Sequence, residues 1–262
     1  MKTRLDAELV RRGLARSREA ATDLIAAGNV LVTGIPASKA ATQVDAQTSI
    51  TLKDDHAEFV SRGGHKLAGA LDNFSKLLVS GKTALDAGAS TGGFTDVLLK
   101  RGASKVVAVD VGYGQLAWEL QKNIRVKILD RVNVRNLTSA QVGEEIDLVV
   151  ADLSFISLKL VLPALISVAK AGADFLIMVK PQFEVGKEKL GAGGVVRDVH
   201  LRKEAVVEVA DAAFALTLGT LGVVASPLPG PSGNVEYFLW LRKGAPALLE
   251  VDLDLAIEKG PA

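Results

Sequence analysis

Short apolar runs alternate with amphipathic stretches through most of this chain. Runs at residues 82–86, 105–110, 125–129, 146–152 and 175–180 have strand length, and helix-length segments separate them. That alternation predicts a parallel sheet with helices on both faces, because parallel neighbours need a crossover connection. Two later strands, at 222–226 and 235–241, flank residues 227–234, which are too rich in Pro and Gly to be helical. The first part of the chain has smaller elements. Helices are predicted over 5–12 and 17–27, with Ser17 as N-cap and Gly28-Asn29 as the stop. Short strands are predicted at 30–32 and 48–52, with a turn at Thr33-Gly34 and Pro36 between them. The predicted organisation is a small domain over 1–55, a linker over 56–60, an α/β domain over 61–244 and a tail over 245–262. The tail reads as a solvated terminal helix or a partly disordered segment.

Composition narrows the class. A length of 262 residues fits one or two domains at roughly 150 residues each. Apolar residues at 48% and charged residues at 23% are ordinary globular usage. Lys and Arg total 31 against 30 Asp and Glu, so nucleic-acid binding by bulk charge is excluded and any basic surface is local. Without Cys there is no disulfide, thiolate zinc site, iron–sulfur cluster or cysteine nucleophile, and with three His no His-built metal centre is expected. Apolar runs reach about ten residues, short of the roughly 20 that span a bilayer. Residues 205–225 are interrupted by Glu208 and Asp211. The start runs from Lys2 and Arg4 into Asp6 and Glu8 with no apolar core, so neither a signal peptide nor a membrane segment is expected. The expectation is a cytoplasmic protein.

The first twenty residues hold Lys2, Arg4, Arg11, Arg12, Arg16 and Arg18 against Asp6, Glu8 and Glu19. Such a cluster releases counterions from phosphate when it meets RNA; the alternative is a small helical lid with solvated arginines. The pattern Arg4-Leu-Asp-x-x-Leu9-Val-x-Arg12-Gly-Leu14-x-x-Ser17-Arg18, followed by Ile25, Gly28, Val30, Val32 and Gly34, resembles the S4-type (alpha-L) RNA-binding domain. The resemblance implies a small α+β domain that lays its basic side on RNA. The candidate RNA contacts are Arg4, Arg11, Arg12, Arg16 and Arg18, with Arg62 taken beside them.

Thr83-Ala-Leu-Asp86-Ala-Gly88-Ala-Ser90-Thr-Gly92-Gly93-Phe94 reads as a strand, a glycine turn and a helix start. It fits neither the dinucleotide spacing G-x-G-x-x-G nor a phosphate-binding P-loop. It resembles the first motif of class-I S-adenosylmethionine (SAM) methyltransferases, with Ser90 where many relatives carry Gly. The fold that follows is Rossmann-like, with a mostly parallel seven-stranded sheet. Glycines let the backbone approach a ligand, and carboxylates suit a cation and a ribose diol. Asp110 and Asp130 end the next two strands, where ligands of open sheets bind. The cofactor candidates are Asp86, Gly88, Ser90, Gly92, Gly93, Phe94, Asp110 and Asp130.

Asp152 follows the fourth strand in Asp152-Leu-Ser-Phe155. This differs from the Asn/Asp-Pro-Pro-Tyr/Phe of amine methyltransferases. Covalent cytosine C5 methylation needs the cysteine that is missing, so a hydroxyl target remains. Lys180 closes the fifth strand and is followed at once by Pro181; Glu236 enters the last strand; Lys66 precedes the cofactor loop. Lys66, Asp152, Lys180 and Glu236 resemble the Lys-Asp-Lys-Glu tetrad of ribose 2′-O-methyltransferases. A lysine made less basic by burial and by Lys66 takes the hydroxyl proton, while Asp152 and Glu236 oppose that effect. Alternatively Lys180 stays cationic and only steers the hydroxyl. The loop 186–194 either closes over RNA or is simply solvated. Tyr113 and Trp118 either shape the cofactor pocket or stack on a base.

Over residues 4–243 the chain resembles the TlyA family, the hemolysin A-like ribosomal RNA (cytidine-2′-O)-methyltransferases. The matching stretches include Ser61-Arg-Gly-Gly-His-Lys66, Asp110-Val-Gly-Tyr-Gly-Gln-Leu-Ala-Trp118, Val179-Lys-Pro-Gln-Phe-Glu184 and Pro227-Leu-Pro-Gly-Pro-Ser-Gly-Asn-Val-Glu236. The family implies SAM as cofactor and no metal. Its substrate is cytidine in assembled ribosomal subunits, the small and in some members also the large. It also implies an effect on sensitivity to capreomycin-type antibiotics. A monomer is expected. Competing readings are a membrane-active hemolysin, after the family's older name, and a non-catalytic ribosome-binding assembly factor. Lysis of lipid vesicles would favour the first, and cofactor binding without turnover the second.

Overall fold

Residues 2–15, 17–26, 28–45, 47–52, 58–230 and 232–261 are described by a computed structural model of the chain. Arg16 and most of the expected linker lie outside these residues. The chain divides into two units, Met1–Glu58 and Phe59–Ala262.

The first unit runs β1 (Thr3–Arg4), α1 (Leu5–Arg11), α2 (Arg18–Ala26), β2 (Val30–Val32), β3 (Ile35–Pro36), β4 (Gln43–Val44) and β5 (Ile50–Leu52). The strands form a two-stranded β1–β4 pair and a three-stranded β3–β2–β5 sheet. The Ser17 hydroxyl accepts from the Ala20 amide at 3.1 Å, the capping contact expected at the start of α2. Leu5, Leu9, Ala21, Ile25, Val30, Val44 and Ile50 form a small core. Their spacing on α1 and α2 puts one apolar stripe of each helix inside.

The second unit carries α3 (Arg62–Asn73), β6 (Thr83–Ala87), α4 (Gly93–Lys100), β7 (Lys105–Val109), α5 (Trp118–Gln121), β8 (Val126–Leu129), α6 (Ser139–Val142), β9 (Ile146–Ala151), α7 (Leu162–Val168), β10 (Ala169–Val179), α8 (Val199–Ala215), β11 (Leu218–Ala225), β12 (Tyr237–Lys243) and α9 (Glu250–Glu258). The sheet order is β11-β12-β10-β9-β6-β7-β8. Strands β10, β9, β6, β7 and β8 are mutually parallel, and β12 is antiparallel to both β10 and β11. This is the expected mostly parallel, doubly wound sheet. Its order reverses at β6, which lies between β7 and β9, and ligands of such sheets bind at that switch point. Apolar cores lie on both faces, one under α7 and α8 and one under α3 and α4.

Three expectations are corrected. Phe59 and Val60 are not linker. Phe59 is buried, its ring edge-on to His65 at 5.1 Å, and the Val60 amide donates to Asp96 at 3.0 Å. The fifth strand begins at Ala169 rather than 175, with an irregularity in its pairing between Ala169 and Asp174. Over α9 the tail is the terminal helix that one of the two readings expected, but one face of it is packed rather than solvated. Leu253 and Ala256 are buried against the sheet, and the Pro246 carbonyl accepts from the Thr220 amide at 2.7 Å. The burial of Leu253 and Ala256 outweighs the acidic residues that make the segment look solvated.

Candidate active site

The glycine turn after β6 is shaped by close backbone approach. Gly88 has φ +86°, and a Cβ there would sit 2.5 Å from the Asp152 carbonyl oxygen. Ser90 adopts φ +47°, a left-handed conformation that a side chain disfavours. Its amide donates to Asp110 Oδ2 at 2.8 Å, a backbone contact that holds the turn in that conformation. Asp110 Oδ1 accepts from the Gly112 amide at 2.7 Å, so one carboxylate ties the turn after β6 to the turn after β7.

Beneath the turn lies Asp86, fully buried. Its Oδ2 accepts from the Thr95 hydroxyl at 2.7 Å, and its Oδ1 has no partner. Burial pushes the Asp86 carboxyl up to about 7; the Thr95 hydroxyl opposes this, and Asp152 and Asp110 add to it. Phe94 is buried and stacks on Phe238 at 6.0 Å, so it belongs to the core as well as to the cavity wall.

The four tetrad positions come together as two ion pairs. Lys66 Nζ donates to Glu236 Oε2 at 2.6 Å, and Lys180 Nζ lies 2.5 Å from Asp152 Oδ1. Lys180 also donates to the Ser154 hydroxyl at 3.0 Å. Lys66, Lys180 and Glu236 are buried, whereas the Asp152 side chain keeps 23% exposure. A buried ion pair is costly to desolvate and weak as a source of stability. The Lys66–Glu236 pair is of that kind, and its place beside Lys180 and Asp152, at the carboxyl ends of β10 and β9, points to function rather than to folding.

Three cavities meet here. One of about 470 Å³ is lined by Gly88, Ser90, Asp110, Gln115, Asn133, Asp152 and Leu153, among others. A second, of about 250 Å³, includes Arg62, Lys66, Gly88, Ser90, Gly93, Phe94, Asp152 and Lys180. A third, of about 810 Å³, is lined by Phe155, Phe183, Gln182, Lys180, Ser232 and Glu236. Asp152, Ser154 and Lys180 sit where they join.

Not every expected residue lines this trough. Asp86 and Gly92 lie under it. Asp130 Oδ2 accepts from the Gly114 amide at 3.0 Å and so braces the 110–118 loop; it is not among the residues lining these three cavities. Arg62 faces the cavity of Lys66, so its placement fits the reaction site at least as well as an RNA contact. Tyr113 lies under Arg131 at 4.3 Å, and Trp118 under Lys122 at 3.9 Å, both rings well exposed. The 186–194 loop is pinned at its end, because Asn234 accepts from the Val196 amide at 2.9 Å and donates to the Gly194 carbonyl at 3.0 Å. Sequence reasoning missed Asn133, Ser154, Gln182 and Phe155. Phe155 carried one signal, a large aromatic in a motif at a strand end. It is 92% exposed with φ +63°, tilted against Phe183 at 5.1 Å. Exposure and strain together at a site rim mark functional placement.

In the first unit the described arginines are paired. Asp6, buried, accepts from Arg4 at 3.1 Å and from Arg18 at 2.8 Å; Glu8, buried, accepts from Arg11 at 2.5 Å and Arg12 at 2.7 Å. Arg11 and then Arg12 hold the Glu8 carboxyl down to about 2. Arg12 also donates to the Thr48 and Asp45 carbonyls at 2.8 and 2.9 Å, so its guanidinium clamps α1 to the turn before β5. Arg12→Ala is therefore expected to cost roughly 3 kcal/mol of local stability, since it strips a buried carboxylate and two carbonyls of a charged donor. Hydrogen exchange of α1 amides in the full chain measures this; exchange as slow as in the wild type would contradict it.

Among the described residues, no helix is long and apolar enough to cross a membrane, and no group of His, Asp and Glu is placed to hold a metal ion. The FtsJ-like methyltransferase family matches residues 59–243, and the S4 domain matches residues 3–50. The 16S/23S rRNA (cytidine-2′-O)-methyltransferase TlyA of Mycobacterium tuberculosis is 56% identical over 266 residues, 99% of each chain. Hemolysin A of Brachyspira hyodysenteriae is 36% identical, over 89% of this chain and 97% of its own. A solved structure named as a hemolysin from Streptococcus thermophilus superposes with TM-score 0.80 at 35% identity, covering 98% of this chain and 95% of the other. The strand-end carboxylates, the glycine turn and these likenesses agree: the chain is an enzyme of the TlyA family, built from an S4 domain and an FtsJ-like methyltransferase domain that uses S-adenosyl-L-methionine.

Proposed function

We propose that the protein transfers a methyl group from SAM to the ribose 2′-hydroxyl of cytidine in ribosomal RNA within assembled subunits. One observation carries the reading: Lys180, paired with Asp152, stands where the cofactor-sized cavities meet the larger cavity, with the Lys66–Glu236 pair beside it. The 56% identity to a 16S/23S rRNA (cytidine-2′-O)-methyltransferase supports both the base and the substrate.

The residues present fit the cofactor. Gly88 leaves room for close approach, the Asp110 carboxylate suits a ribose diol, and the partnerless Oδ1 of Asp86 leaves a buried acceptor below the turn. The chemistry that SAM supplies when bound is a methyl group on a sulfonium, open to nucleophilic attack. Asp110 would hold the ribose end; Gly88, Ser90 and Gly93 would line the rest. Asp110→Asn should weaken SAM binding about 10- to 100-fold, the worth of a hydrogen bond to a charged group. Titration calorimetry with SAM checks this, and an unchanged affinity would remove Asp110 from the cofactor site.

Lys180 in its ion pair acts as a cationic donor. Its Nζ orients the 2′-hydroxyl oxygen for attack on the methyl carbon; as the O–C bond forms and the C–S bond breaks, the hydroxyl proton passes to the Asp152 carboxylate, which is in contact with water and releases it there. Asp152 and Ser154 fix that Nζ, and the Lys66–Glu236 pair flanks it. Phe155, exposed at the rim, offers a face for a base. The first unit holds RNA through the outer arginines Arg4, Arg11 and Arg18. The protein works in the cytoplasm as a monomer without metal, on the small subunit, with the large subunit as the second candidate, and its activity affects sensitivity to capreomycin-type antibiotics.

The test is nucleoside analysis of unmodified small and large subunits, and of protein-free rRNA, after incubation with protein and SAM. 2′-O-methylcytidine in the subunits and little in free rRNA is expected. No ribose-methylated product, with SAM bound, would favour the assembly-factor reading.

A further inference from the structure

Glu236 is held from two sides. Its Oε2 takes the Lys66 ammonium at 2.6 Å, and its Oε1 faces Gln182 Nε2 at 3.4 Å. Gln182 lies in the 3-10 turn Pro181–Phe183, whose first residue directly follows Lys180. That turn is closed by the Phe183 amide on the Lys180 carbonyl at 2.9 Å. The backbone that places Lys180 therefore also places the amide that reaches Glu236. The other end of the same amide, Oε1, is buried with no partner. A buried acceptor without a donor is costly, and folded chains tolerate it mainly where function requires it. Turning the amide over would bring its oxygen against Glu236 Oε1, so the orientation is set by the carboxylate.

We propose that Gln182 is a positioning residue for methyl transfer: from the turn that carries Lys180, it steers Glu236 and thereby fixes Lys66. Its neutrality matters. The site already balances two lysines with two carboxylates, and a charged residue at 182 would upset that balance. A contact of 3.4 Å is long at rest, and such contacts commonly tighten in the working complex. The proposal rests on the tetrad reading above and adds a fifth member that acts through Glu236.

The experiment compares wild type, Gln182→Leu and Gln182→Glu on ribosomal subunits, measuring kcat, KM, SAM affinity and the pH–rate profile. Gln182→Leu is expected to lower kcat roughly 10- to 100-fold, the cost of a small misplacement, with SAM affinity unchanged. Gln182→Glu puts a second carboxylate beside Glu236. It should move the acidic limb of the profile upward by about one pH unit, because like charges resist ionisation. A glutamine that only supports the fold would lower the melting temperature of Gln182→Leu without lowering kcat. Wild-type kcat in both variants, or an unshifted limb in Gln182→Glu, would overturn the proposal. So would a fall in kcat matched by an equal fall in SAM affinity. Failure of the wild type itself to methylate ribose would instead overturn the tetrad reading on which it stands.

Discussion

Lys180→Met should lower the rate of methyl transfer by about 10²- to 10⁴-fold, the usual worth of positioned proton transfer, here by the Lys180–Asp152 pair acting together. Methionine keeps the length and apolar stem of lysine but removes the ammonium, so Asp152 and Ser154 lose the group they hold. Asp152 keeps 23% exposure, so water can solvate the abandoned carboxylate and the fold should survive. SAM affinity should change little, because the turn around Gly88 and Asp110 is held by its own backbone contacts. Lys180 and Asp152 act as one unit. The double variant Lys180→Met/Asp152→Asn should therefore be scarcely slower than Lys180→Met alone, whereas independent roles would multiply. Single-turnover rates on one subunit preparation distinguish the two.

Asp86→Asn should raise stability at neutral and alkaline pH while weakening SAM binding. The carboxyl has an ordinary value near 4 in the unfolded chain and is raised to about 7 in the folded one, chiefly by burial. Between those values the folded state keeps a proton that the unfolded state has released. Stability from this group is then present at low pH and falls as pH rises from about 4 to about 7, by up to roughly 4 kcal/mol. Asparagine has no such charge to bury and still accepts from Thr95. At pH 8 the variant should melt about 5–10 °C above wild type; at pH 4 the two should nearly coincide. SAM affinity should fall because the buried negative charge is lost. A melting difference that is the same at both pH values would show that burial of this charge is not what costs the fold. The arrangement trades stability for a cofactor site, as functional sites commonly do.

Much of this site was legible in the chain because a parallel sheet puts its chemistry at strand ends. Asp110, Asp152 and Lys180 each stand one residue past β7, β9 and β10, and Glu236 one before β12. An apolar run that stops at a charged residue locates such positions without a structure. The pairing within the tetrad was not legible. Lys66 and Glu236 are 170 residues apart, and only the sheet order brings α3 beside β12. Asp130 ends its strand as expected, and one of its oxygens takes the Gly114 amide, a local bond that periodicity does not encode. The same holds for the arginines of the first unit. Their number suggested a free basic face, but buried Asp6 and Glu8 gather four of them, and Arg12 is an internal clamp. Phe59 and α9 were misread because one or two apolar residues in a polar stretch show their burial only when their partners are known.

The central claim is that Lys180, in its pair with Asp152, performs ribose methylation at the meeting point of the cavities. The most direct measurement is transfer of labelled methyl from SAM to unmodified ribosomal subunits by wild type and Lys180→Met in parallel, with SAM binding measured for both and the labelled nucleoside identified. The account predicts 2′-O-methylcytidine from the wild type and almost none from the variant, with both binding SAM. Label on a base atom, or undiminished ribose label in Lys180→Met, would contradict it.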